Sequence, residues 1–271
     1  MSAERPLVLL RGGGDLGTGV ALRLHRAGWR VLVTELPQPL VIRRTVAFAA
    51  AIYEGSIEVE GAIGERIAGA AEADRVWAAD RIPVLIDPAG AAAVSLRPIA
   101  VIDAIMAKRN TGTRLADAPI VIALGPGFTA GIDCHAVIET QRGHHLGRVY
   151  YRGAAQPDSG TPGDVGGQAA RRVLRAPVDG TFRALRQIGD RVAAGEAIGQ
   201  VLTTAAAWAV TAQIDGVLRG ILHDGLPVSA GLKVADVDPR GVVENCFTIS
   251  DKAWAMGGAV LEAVMYLSRK R

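Results

Sequence analysis

Three glycines at fixed spacing near the start of the chain offer the first chemistry. Gly12-Gly13-Gly14-Asp15-Leu16-Gly17 follows the apolar run Leu7-Val8-Leu9-Leu10, and from Thr18 the pattern turns helical as far as Gly28. A second short apolar segment then ends on Glu35. Strand, G-x-G-x-x-G, helix, strand and acid is the order in which a βαβ unit grips a dinucleotide. Gly12 permits a tight turn, Gly14 lets backbone approach a pyrophosphate, and Gly17 lets helix and strand pack closely. The charge of the phosphates is met by amide N–H groups at the helix start. Glu35, at the second strand tip, is placed to accept from ribose hydroxyls; were the ligand a nicotinamide dinucleotide, its charge would favour NAD over NADP. Asp15 is unusual here, because a carboxylate repels phosphate, and capping the helix is its other role. The binding set is therefore Gly12, Gly13, Gly14, Asp15, Leu16, Gly17 and Glu35, against the plainer reading of a glycine-rich turn that binds nothing.

Further groups are placed to join that set. Residues 41–52 read as a helix with Arg43 and Arg44 near its first turn, where basic side chains oppose the helix dipole and a ligand role gains weight over open solvation. Ala100-Val101-Ile102-Asp103 ends a strand and is followed by Lys108. Ile120–Leu124 ends in Gly125-Pro126-Gly127. Since open α/β sheets bind ligands at the carboxyl ends of their strands, these tips should crowd one edge. Asp103, Lys108 and Cys134 are the candidate catalytic residues. Cys134 stands beside His135, but neighbours on a strand point to opposite faces. A single cysteine without a C-x-x-C partner makes a poor zinc site, and burial as a small hydrophobe is its ordinary fate. No metal is expected. Asp236 and Asp238 are either an acid–base pair or part of an Asp-Pro turn.

The elements behind these residues fall into two classes. Apolar runs without alternation suit parallel strands covered on both faces, so residues 1–157 are expected to form a Rossmann-like α/β domain. A turn-rich linker, 158–173, follows. Residues 174–243 then repeat themselves: Val178, Asp179, Gly180, Gly189, Val192, Gly195, Ile198 and Val201 match Ile214, Asp215, Gly216, Gly225, Val228, Gly231, Val234 and Val237, each pair 36 residues apart. Alternation and frequent glycines argue for β structure throughout. The pattern resembles the biotinyl/lipoyl carrier fold, a flattened barrel-sandwich of two interleaved halves. The lysine that carries the cofactor in that family is missing from residues 203–208, so no covalent biotin or lipoate is expected. A last helix, within 244–271, is capped by Ser250-Asp251 and should pack back on the first domain.

Composition narrows the partners. The chain has 271 residues, two cysteines and a net charge of +3. Its start, Met1–Pro6, has neither the apolar length nor the cleavage site of a signal peptide. No run reaches a membrane span, and a reduced, cytoplasmic setting is expected. Arginine supplies 26 of the 30 basic residues, but no basic run is interleaved with aromatics, which argues against nucleic acid. A homo-oligomer is compatible with all of this.

Seven segments together resemble one family over nearly the whole chain. They are residues 11–16, 34–39, 43–48, 107–110, 124–131, 133–135 and 237–240, including Arg43-Arg-Thr-Val-Ala-Phe48 and Val237-Asp-Pro-Arg240. They are similar to YqeB-type proteins associated with selenium-dependent molybdenum hydroxylases. That resemblance implies an accessory role in molybdenum hydroxylase maturation, with a hydroxylase of the xanthine dehydrogenase type as partner. On this view the glycine turns hold a molybdopterin dinucleotide or another nucleotide, and Cys134 lies near the metal to pass or protect a chalcogen ligand. An NAD-dependent oxidoreductase and a non-catalytic adaptor are the alternatives.

Overall fold

The computed structural model describes residues 5–158, 160 and 163–270, and divides into two compact units. Residues 1–4, and residues 159, 161 and 162 of the expected linker, lie outside the described residues. The first unit takes in Met1–Pro39, Ala47–Asp158 and Ile249–Arg271; the second takes in Leu40–Val46 and Ser159–Thr248.

In the first unit, β1 (Leu7–Arg11), α1 (Asp15–Arg26) and β2 (Arg30–Glu35) open the chain. A short helix α2 (Ala51–Glu54) leads to the hairpin β3 (Ser56–Val59) and β4 (Ala62–Ile67), then α3 (Ala73–Ala78), β5 (Ile82–Ile86), α4 (Ala92–Leu96) and β6 (Ala100–Asp103). Strands β7 (Ile120–Leu124), β8 (Thr129–Ala130), β9 (Ala136–Ile138), β10 (Val149–Tyr150) and β11 (Gly153–Ala154) follow. Nine strands form one sheet in the order β10-β9-β7-β6-β1-β2-β5-β4-β3. The pairings are parallel from β4 across to β9 and antiparallel at both edges. Because β1 pairs with β2 on one side and β6 on the other, the strand order reverses at β1. Leu9, Leu32, Val101, Val121 and Val137 carry the core on one face, as expected of strands buried on both sides.

The last helix belongs to this unit and comes after the whole second one. Its N-cap, Ser250, accepts from the Ala253 amide. Gly19 of α1 and Gly257 of the last helix have no room for a side chain: a Cβ on either would collide with the other helix's backbone. Only paired glycines allow that approach. The Trp254 ring lies under the guanidinium groups of Arg23 and Arg26, 4.5 and 5.2 Å from its centroid.

The second unit holds β12 (Val173–Arg175), β13 (Gly180–Ala184), β14 (Arg191–Val192), β15 (Ala197–Leu202), β16 (Ala207–Thr211), β17 (Gly216–Ile221), β18 (Pro227–Val228) and β19 (Lys233–Asp238). They make two antiparallel sheets, β12-β19-β17-β14 and β16-β15-β13-β18. The final helix, Asp251–Ser268 in the first unit, is α5. The 36-residue offset relates β13 to β17, β14 to β18 and β15 to β19, and each pair is divided between the two sheets.

These pairings correct the expected fold class. In place of a Rossmann-like, mostly parallel domain, the first unit is a mixed α/β structure on one large sheet, with antiparallel strands at each edge. Its β6–β7 and β7–β9 crossovers carry no α-helix. In place of a biotinyl/lipoyl-like barrel-sandwich, the second unit is two sheets joined by no strand ladder among the described residues. The helix expected over 41–52 forms only in its later part, as a 3-10 turn at Phe48–Ala50 leading into α2. Leu40–Val46 runs as a strap within the second unit, with a 3-10 turn at Arg44–Val46. Val41, Ile42, Thr45 and Val46 are β-branched and poor helix formers, and the Ile221 amide donates to the Ile42 carbonyl at 2.8 Å. No described helix is long and apolar enough to cross a membrane.

Candidate functional site

The β1–α1 turn is held almost entirely by backbone. Gly12 has φ +95°, open to glycine, and its amide donates to the Thr34 carbonyl at 2.9 Å. The Gly13 amide donates to Glu35 Oε1 at 2.7 Å, while its carbonyl accepts from the Ala49 amide (2.9 Å) and Thr18 Oγ1 (3.1 Å). A Cβ on Gly17 would collide with the Gly12 carbonyl oxygen. Gly14 differs from all of these: a Cβ there would meet nothing within 4 Å, and Gly14 caps α1 with no side-chain hydrogen bond. The start of α1 is therefore open on the Gly14 side. Leu16 is buried and serves packing, while its amide donates to Asp15 Oδ1 at 2.9 Å.

Glu35 flanks this opening. Its Oε2 accepts from the Leu36 amide at 3.0 Å, and each oxygen keeps a further lone pair. Burial raises its pKa, and the Leu36 and Gly13 amides pull the other way. The Tyr53 hydroxyl, which donates to the Pro39 carbonyl, is pushed up to about 12 by burial and then by the Glu35 charge.

The sequence reading missed Lys252. The glycine-to-glycine packing of α1 against α5 sets the starts of the two helices side by side, and Lys252 in the first turn of α5 faces Asp15. Burial lowers its pKa; Asp15, Glu139 and Asp251 oppose that shift and Arg142 adds to it. The two outer carboxylates are already engaged. Arg142 holds Asp251 through two hydrogen bonds of 2.7 and 2.9 Å. The fully buried Glu139 accepts from the Gln141 and Gln156 amides at 2.8 Å each. The Gly257-Gly258 pair was the available signal for this helix crossing.

Other expected site residues are occupied otherwise. Gly125 and Gly127 have φ of +76° and +101°, but protein fills the space beside them. A Cβ on Gly125 would stand 2.7 Å from Thr140 Oγ1, and one on Gly127 would stand 2.5 Å from the Arg109 Cα. This second glycine turn receives the 108–109 backbone at Gly127. Asp103 is buried and engaged in structure: Oδ1 accepts from the Ile105 amide at 3.1 Å and Oδ2 from Thr113 Oγ1 at 2.6 Å, with Arg11 Nη1 at 3.8 Å. It ties down the sheet edge. Lys108 is exposed and paired with Asp158 at 2.7 Å. Cys134 is sealed in the apolar core with Leu9 and Val121, and burial, then Asp133, push its thiol up to about 12. A thiol in that state is packing, not a nucleophile. Arg43 and Arg44 belong to the second unit, where Arg43 donates to the Asn245 and Thr248 carbonyls and Arg44 to Ile221. Among the described residues no group of three His, Cys, Asp or Glu is arranged to hold a metal ion.

The first unit also has a cleft of about 380 Å³ lined by Trp29, Trp77, Arg5, Arg30 and Asp80. It lies where β1, β2 and β5 begin, at the opposite end from the glycine turn. Its cations lie by the carboxyl ends of α1 and α3, which they serve electrostatically.

Comparison with known proteins gives one strong match. The chain is 49% identical over 261 residues to the uncharacterized protein YqeB of Escherichia coli K12. It is a homologue of YqeB. The YqeB match takes in 96% of this chain but 48% of that protein, so the chain spans about half the length of its relative. No family model matches the chain. Among solved structures, it is similar to an aspartoacylase family protein of Mesorhizobium loti at 12% identity and a TM-score of 0.29, covering 86% of this chain and 85% of that one. A succinylglutamate desuccinylase of Silicibacter sp. matches at 13% identity and 0.26, covering 86% and 84%. A succinylglutamate desuccinylase/aspartoacylase of Rhodobacter sphaeroides matches at 26% identity and 0.24, covering 26% and 22%. The expected role in molybdenum hydroxylase maturation is corrected: the solved structures to which the chain is similar are described as aspartoacylases and desuccinylases. At such TM-scores they bring neither an active site nor a substrate to this chain.

Proposed function

We propose that the first unit binds a nucleotide through its diphosphate, seated on the β1–α1 turn. The observation that carries this reading is Gly14: the one position in the turn where the missing side chain faces space, at an uncapped helix start. Backbone amides there supply donors to phosphate oxygens, and the dipole end adds about 0.3–1 kcal/mol. The turn lies at the carboxyl end of β1, where the strand order reverses, which is the favoured ligand position in open α/β sheets. Glu35 accepts from ribose hydroxyls with its remaining lone pairs, and Lys252 offsets the charge of Asp15.

Calorimetric titration of the full chain with ADP tests this. Saturable binding is expected for the natural protein, and Gly14→Val is expected to weaken it at least about tenfold by filling the space the phosphates need. Absence of ADP binding, or equal affinity in Gly14→Val, would remove the reading.

A further inference from the structure

In the second unit one buried guanidinium is left short of hydrogen-bond partners where a β-bulge turns its side chain inward. Leu218 pairs with Val237 and Gly220 with Asp236, so the intervening Arg219 is the extra residue of a bulge in β17. Bulges of this kind re-aim side chains, often beside functional sites. Arg219 is 8% exposed, makes no hydrogen bond among the described residues, and its Nε is buried without a partner. Its nearest carboxylate is Asp238, with Oδ2 3.6 Å from Nη1. A buried guanidinium carries five donors, and leaving them unmet is costly.

Asp238 cannot make up the shortfall. Its carboxylate already accepts from the Arg240 amide (3.0 Å), Nε (2.9 Å) and Nη2 (2.6 Å). Asp236 is taken by Arg172, with Lys233 at 3.9 Å. A second buried guanidinium, Arg43, faces Arg219 from the strap. Gly220 makes that approach feasible, since a Cβ there would stand 2.9 Å from the Ile42 carbonyl oxygen and 3.3 Å from Arg43 Cγ. Cys246 also faces both arginines, but burial raises its thiol pKa, so it supplies no thiolate. The Arg219 guanidinium thus faces those of Arg43 and Arg240, and the two carboxylates it faces, Asp236 and Asp238, are already engaged.

We propose that Arg219 and Arg43 form a binding site for a tetrahedral oxyanion, either inorganic phosphate or the phosphate of a small monoester. The guanidinium fork matches two oxygens of such an ion, which a lone lysine would not. The site lies within the second unit and is independent of the glycine turn. It also gives a common purpose to two segments far apart in sequence, Arg43–Phe48 and Val237–Arg240.

The test is calorimetric titration of the full chain with sodium phosphate and, separately, AMP, at ionic strength held constant with chloride. The natural protein is expected to bind phosphate saturably. Arg219→Met is expected to lose that binding by at least about tenfold, and Arg219→Lys to fall between the two. Without ligand, Arg219→Met should melt no lower than the natural protein, since an unbalanced buried charge has been removed. An arginine with a purely structural role would show the reverse. AMP binding that depends on Arg219 assigns a monoester; phosphate binding alone assigns the free ion. No saturable phosphate or AMP binding above the chloride control, or binding unchanged in Arg219→Met, would overturn the proposal. Should Arg219→Met fail to fold, Arg219→Lys decides in its place, and natural affinity in that variant overturns it.

Discussion

Two glycine turns stand at the carboxyl edge of one sheet, at the ends of β1 and β7 with β6 between them, and their fates differ. Gly12–Gly17 holds itself by backbone bonds and leaves Gly14 facing space. Gly125–Gly127 has the same residue type and positive φ, yet Thr140 and the Arg109 backbone fill the gap. Glycine composition is common to both. What separates an open turn from a packed one is the identity of the atoms opposite the missing Cβ.

Substitutions can break this contrast, and the largest effect is expected between the two turns. Asp103→Ala strands the Arg11 guanidinium in the sheet edge, and loss of one partner of a buried pair costs about 3–5 kcal/mol. Urea unfolding measures it; a change below about 1 kcal/mol would show that Asp103 is not structural. Gly127→Ala comes next. It forces a side chain into positive φ and against the Arg109 backbone, and should cost about 3 kcal/mol in the same assay while leaving ADP affinity of the folded fraction unchanged.

Smaller effects are expected at the open turn. Burial raises the Glu35 pKa in the folded protein above its ordinary value of 4.5. The folded state therefore holds that proton more tightly than the unfolded one. The stabilising contribution is complete below the unfolded pKa and fades as pH rises through the folded one. Glu35→Gln removes this dependence, so the melting temperature of the variant relative to the natural protein should climb as pH rises from 4.5 toward neutrality. ADP affinity should fall in the same variant, because the ribose loses an ionised acceptor. A flat difference across that range would contradict the assignment. Gly14→Ala should change stability least, within about 0.5 kcal/mol, since its backbone has ordinary negative φ and its Cβ meets nothing.

Much of the first unit was legible because its signals are local. Apolar runs marked β1, β6 and β7, Gly28 closed α1, and Ser250 opened α5. The 36-residue offset of the second unit was equally plain, since repeated strands leave repeated glycines and valines. What could not be read depends on distant chain. Arg43 and Arg44 sit in a stretch whose apolar pattern suits a helix, and its β-branched residues together with the hydrogen bond from Ile221 to Ile42 turn it into a strap. Lys252 reaches Asp15 through the contact of Gly19 with α5, which no local pattern encodes. Cys134 stands beside His135 in the chain, but its neighbours in space are core side chains.

Amide hydrogen exchange of the full chain, with and without saturating ADP, tests the central claim most directly. Slowed exchange is expected at Gly14–Gly17, with the amides of Gly125–Gly127 unchanged. Protection at the second turn, or none at the first, would contradict it.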